Sequence, residues 1–63
     1  MNLNLTKLIG LMEQEAVYLI KAHRLTYRVT KRDGNAFIVT RDYKHDRVNL
    51  EFENGKITKA SIG

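Results

Sequence analysis

The sequence predicts a small α+β domain, one helix packed on a small sheet. Three observations carry that prediction. The hydrophobic period changes from helical to alternating near residue 25, and two turn dipeptides, Asp33-Gly34 and Asn54-Gly55, divide the alternating region. The chain has 63 residues, enough for a single domain over 1–63 and too few for two. No stretch is low in complexity and no internal repeat is visible.

The helix comes first. Residues 12–23 place Met12, Ala16, Leu19, Ile20 and His23 on one stripe, by steps of three and four. Glu13 and Glu15 sit in its first turn and Lys21 and Arg24 near its end, the charge order that the helix dipole favours. Its start lacks a conventional cap, because Gly10, Leu11 and Met12 carry no side-chain oxygen for the first backbone N–H groups.

From Leu25 the pattern alternates. Leu25, Tyr27 and Val29 face one way, and Thr26, Arg28, Thr30 and Arg32 the other. Asp33-Gly34-Asn35 breaks this strand, since Asp-Gly supplies the positive φ of a tight turn. Val48, Leu50 and Phe52 alternate with Asn49, Glu51 and Glu53 in a second clear strand. Asn54-Gly55 then returns the chain into a partner at 56–62. Between these lies the informative stretch, 36–46. Phe37, Ile38, Val39 and Thr40 are apolar or β-branched without clean alternation, and 41–46 is densely charged. Periodicity alone leaves two readings open: an ordinary strand completing a four-stranded meander, or something other than a strand.

Composition narrows the chemistry. There is no cysteine and no proline, so no disulfide framework and no thiolate metal or redox centre can form. Eleven basic against seven acidic residues give a net charge of +4, moderately basic. No apolar run approaches the ~20 residues of a membrane span, and residues 1–7 do not read as a leader. The expectation is a cytoplasmic protein, with a secreted product trimmed before residue 1 as the alternative. No cofactor is expected. Neither is a metal, because His45 stands alone in a charged segment and His23 reads as a satisfied, partly buried helix residue. Asp42 and Asp46 could pair for acid–base work, but an exposed segment offers no cleft and no cause for a raised pKa, so an enzyme is not expected. Tyr27 and Phe52 read as core and Tyr18 as exposed, while Tyr43 stays undecided between a partner contact and packing under its own segment.

The order of these signals resembles the potato inhibitor I family of serine-protease inhibitors and its small bacterial relatives. Leu8-Ile9-Gly10 followed by Glu13-Gln14-Glu15-Ala16 is similar to that family's helix entry. Val39-Thr40-Arg41-Asp42-Tyr43 is similar to its inhibitory loop and Asp46-Arg47-Val48 to its loop exit. Asn54-Gly55-Lys56-Ile57-Thr58 and Ile62-Gly63 resemble the tail of the bacterial relatives. The resemblance covers about residues 8–63. It implies a mixed parallel and antiparallel sheet on one helix, with an exposed, extended binding loop between a parallel pair of strands.

The resemblance also implies roles. Val39, Thr40, Arg41, Asp42, Tyr43 and Lys44 would form the protease-binding loop, with Arg41 as the specificity residue and Asp42 after the scissile bond. An Arg there suits the acidic pocket of a trypsin-like protease, because a guanidinium pairs bidentately with a carboxylate; subtilisin-like proteases are the other candidate partners. Arg47 would support the loop from the following strand, with Asp42 as its charged partner. Asn49 stands where the family has a second supporting Arg, so one multidentate anchor is expected to be missing. The rival reading is a small basic interaction module for a nucleic acid or a non-protease protein. It rests on Arg24, Arg28 and Arg32 along one strand face with Lys31 beside them, and it is the weaker one for want of a nucleic-acid motif or an exposed stacking pair.

Overall fold

The computed structural model describes residues 3–63, in which a 3-10 turn at Leu5–Leu8 leads into helix α1, Glu13–Ala22, and then four strands. These are β1 Thr26–Arg32, β2 Asn35–Ala36, β3 Arg47–Glu53 and β4 Lys56–Ile62. They form one sheet in the order β2-β1-β3-β4. β1 and β3 run parallel, and the β1–β2 and β3–β4 pairs are antiparallel. The fold is therefore the α+β class with a mixed sheet, and the four-stranded meander is excluded. Among the described residues no helix is long and apolar enough to cross a membrane.

The helix begins at Glu13, and Met12 lies just outside it, half exposed rather than on the buried stripe; its backbone bridges to Lys56. The missing cap is partly replaced from inside, because the Glu15 carboxylate accepts the Met12 N–H at 3.0 Å. At the other end Arg24 takes φ 60°, its N–H donates to the Lys21 carbonyl at 2.9 Å, and the Leu25 N–H donates to Ile20 at 3.0 Å. This pair of bonds is the Schellman stop, made here without glycine. His23, half-buried, donates from Nδ1 to the Leu19 carbonyl at 2.8 Å, as a satisfied histidine should.

The core is Leu8, Ala16, Ile20, Val48, Leu50, Phe52 and Ile57, all at most 1% exposed, with Tyr27 and Val29 packed partly against it. It lies between α1, the 3-10 turn and one face of the sheet. The 3-10 turn, unforeseen in the sequence, contributes Leu8 to that core and is capped by Asn4 Oδ1, which accepts from the Thr6 N–H.

One expectation for β1 is corrected. The parallel register shifts between Val29 and Lys31: Val29 pairs with Leu50, then Lys31 with Glu51 and Arg32 with Phe52. Thr30 is the extra residue of a bulge, and its hydroxyl donates to the Leu50 carbonyl at 3.3 Å. A one-residue insertion reverses the side on which every later side chain emerges. Arg32 therefore leaves the face of Arg28 and joins the helix side. There its guanidinium pairs with Glu13 at 3.0 Å and lies 4.7 Å from the centre of the Phe52 ring. The basic row read from alternation does not exist as a single surface.

Candidate protease-binding loop

Between β2 and β3 the chain crosses back along the sheet through residues 37–46. Every residue of this segment is exposed, and 37–44 belong to no helix or strand. A parallel pair cannot be joined by a tight turn, so a long return is forced by the topology; the usual occupant is a helix, and here it is bare chain. Phe37 is still tied to the strand, its N–H donating to the Thr30 carbonyl at 3.0 Å. At the far end the Asp46 carbonyl accepts from the Thr26 N–H at 2.8 Å and from its hydroxyl at 3.2 Å, which fixes the loop exit to the start of β1.

Two guanidinium groups hold the part between. Arg47, whose side chain is only 11% exposed, donates from Nη2 to the Asp42 carbonyl at 2.7 Å and from Nε to the Gly63 carbonyl at 2.9 Å. Its Nη1 lies 3.8 Å from an Asp42 carboxylate oxygen. That ion pair is long and its carboxylate is exposed, so it is worth little in water, whereas the short bond from a charged donor to the backbone carbonyl is the stronger contact. Arg28, from β1, donates from Nη1 to the Thr40 carbonyl at 3.2 Å and to the Thr40 hydroxyl at 3.3 Å. Its Nε donates to Asn49 Oδ1 at 2.6 Å. Arg41 itself, with its side chain exposed, stands between Thr40 and Asp42, the two residues so held.

The expected support roles are thereby revised. Asn49 touches the loop through Arg28 rather than directly, and the anchor expected to be missing is supplied from the neighbouring strand. Arg28 and Asn49 are register partners in the parallel pair, a relation that alternation along one strand cannot reveal. Knowledge of the register would have found it.

The Asp42 carboxyl is held below its ordinary value of 3.8, first by the Thr40 hydroxyl, against a smaller opposing effect of desolvation, and further by its own backbone N–H, Arg47 and Lys44. A carboxyl kept ionised in this way suits a hydrogen-bond acceptor and not a general acid.

The remaining loop side chains point to water. Ile38 is fully exposed, Phe37 and Val39 are partly so, and Tyr43 is 71% exposed, which settles its position against packing under the loop. Lys44 and His45 are exposed as well. Among the described residues no group of three or more His, Cys, Asp or Glu side chains is gathered to hold a metal ion. No family model matches the chain, and neither a curated protein nor a solved structure matches it.

Proposed function

We propose that the protein inhibits a serine endopeptidase, binding it in the manner of a substrate through the loop around Arg41–Asp42, on a scaffold like that of the potato inhibitor I family. The observation that carries this reading is the bracketing of one residue, Arg41, and with it the Arg41–Asp42 bond. Thr40 before it and Asp42 after it each have the backbone carbonyl bonded to an arginine rooted in a strand, while the Arg41 side chain between them is exposed. A loop ordered before binding loses little conformational entropy on docking, so more of the contact energy appears as affinity. The exposed apolar side chains of Phe37, Ile38 and Val39, which the fold itself does not use, support a protein partner along the same segment.

Arg41 selects for a pocket with a carboxylate at its base, as in trypsin-like proteases. The polyanion reading finds less support, since Arg28 and Arg32 are half-buried, face opposite sides of β1 and are engaged with Thr40, Asn49 and Glu13. The test is titration of the purified protein against a trypsin-like, a chymotrypsin-like and a subtilisin-like protease, repeated with Arg41→Ala. The expected result is stoichiometric inhibition of the trypsin-like enzyme, weakened about 30- to 1,000-fold in the variant, the range for a buried arginine anchor. Rapid digestion by all three enzymes would overturn the proposal.

A further inference from the structure

We infer that Arg28 and Asn49 act as one positioning unit for the half of the loop that precedes the Arg41–Asp42 bond, an assignment that rests on the inhibitor reading. The loop has two halves with separate roots. Residues 37–41 descend from β2 and are held at Thr40 by Arg28 of β1, whereas 42–46 lead into β3 and are held at Asp42 by Arg47. Each half therefore keeps its own anchor when the bond between them is cut.

That division matters for the chemistry a serine protease would attempt. Its serine oxygen gives its proton to the protease's general base and bonds to the Arg41 carbonyl carbon, the Arg41–Asp42 C–N bond breaks, and the Asp42 nitrogen takes that proton to leave as an amine. The step reverses when that amine re-attacks the ester carbon, which requires both ends to stay in register. Arg47 holds the amine end. The carbonyl end is held from Thr40, one residue away, and Arg28 is the side chain that holds it.

Arg28 alone would be a poor clamp, since a long flexible side chain loses rotamer entropy when it is fixed. Asn49 removes much of that freedom beforehand. Its Oδ1 accepts from Arg28 Nε at 2.6 Å, which leaves Nη1 of the planar group aimed at Thr40. The Asn49 amide lies close against Gly63, where a Cβ would come within 2.9 Å of its Nδ2, so glycine there leaves the amide its place. The inferred role of Asn49 is to act on the loop only through Arg28.

The experiment uses the full chain in four variants, Arg28→Ala, Arg28→Lys, Asn49→Ala and the Arg28→Ala/Asn49→Ala double. For each, the inhibition constant against trypsin, the rate of cleavage at 41–42 by mass spectrometry and the amide exchange of residues 40–43 without protease are measured well below the melting temperature. Arg28→Ala is expected to raise both the inhibition constant and the cleavage rate about 10- to 100-fold, as loss of bonds from a charged donor does. Arg28→Lys keeps the charge, cannot reach Asn49 and Thr40 together, and falls in the same range. Asn49→Ala is expected to cost about 2- to 10-fold, and the double to be no worse than Arg28→Ala alone. If Arg28→Ala does not fold, Arg28→Lys and Asn49→Ala carry the test. Unchanged exchange at 40–43 in the Arg28 variants, or additive losses in the double, would overturn the inference. If the unaltered protein inhibits no protease, the inhibitor reading fails by itself, and faster exchange at 40–43 in the Arg28 variants still supports the clamp.

Discussion

The tight turns at one end of the sheet and the loop that returns to the other end are ordered by opposite means. Asp33-Gly34 and Asn54-Gly55 each place two successive residues at positive φ, 51° and 82° in the first and 51° and 77° in the second. Such a pair is the two-residue hairpin turn whose twist suits antiparallel strands, and its order comes from the residues of the turn itself. The two turns even lean on each other, with the Asp33 carboxylate accepting the Asn54 N–H at 2.7 Å. Residues 37–46 contain no such device: no glycine, no proline and no regular hydrogen-bond ladder. Their order is imported from side chains of β1 and β3. Local chemistry suffices where few residues must turn, and a ten-residue exposed return needs long-range props.

The largest break in this comparison is expected from Arg47→Ala. The side chain is nearly buried and ties Asp42 and Gly63 together by two bonds from a charged group, so its loss leaves two carbonyls without that donor and a gap beneath the loop. Stability should fall by about 2–4 kcal/mol, and inhibition by more than about 100-fold, because loop and strand register are loosened together. Chemical denaturation and inhibitor titration read the two effects. Asp42→Asn, which keeps the backbone carbonyl and removes only the exposed charge, should cost far less. Equal losses in the two variants would show that the ion pair and not the carbonyl bond holds the loop.

Gly55→Ala tests the other region. At φ 77° an added Cβ meets no neighbouring atom, so the cost is backbone strain alone, about 1–2 kcal/mol. Stability should drop while the inhibition constant stays within about twofold, since the turn does not help to hold 40–43. A parallel loss of inhibition would mean that the two regions are ordered as one and would remove the contrast.

This contrast also explains what could be read from the residues. The helix was legible to within a residue at each end, because its period and terminal charges are local, and β3 was legible because Val48, Leu50 and Phe52 alternate without interruption. The parallel pairing of β1 and β3 was not visible in either strand; it followed only from the resemblance carried by 39–43 and 46–48. The bulge at Thr30 left no signature, since Thr30-Lys31-Arg32 alternates acceptably in either register, and so Arg32 was assigned to the wrong face. Arg47 was legible as the support beside Asp42, whereas Arg28 was not, because its partners lie 12 and 21 residues away on separate elements.

The smallest expected effect concerns acid. Asp42 has its carboxyl pKa lowered by the Thr40 hydroxyl, its own N–H, Arg47 and Lys44. A depressed folded-state pKa contributes stability that is present above the ordinary value of 3.8 and is lost as pH falls through the lower, folded value. From pH 7 down to about 5 the loop should therefore be unchanged, and below 3.8 the protection of its amides at 40–43, taken relative to the intrinsic exchange rate at each pH, should fall modestly, because the carboxylate is exposed and the Asp42 carbonyl bond to Arg47 does not titrate. An NMR titration of the Asp42 carboxyl should give a midpoint below 3.8, and Thr40→Val should move it back up toward that value. A midpoint at or above 3.8 in the unaltered chain would mean that the Thr40 hydroxyl does not reach the carboxylate in solution. In that case the acid response of the loop would rest on the long Asp42–Arg47 ion pair alone.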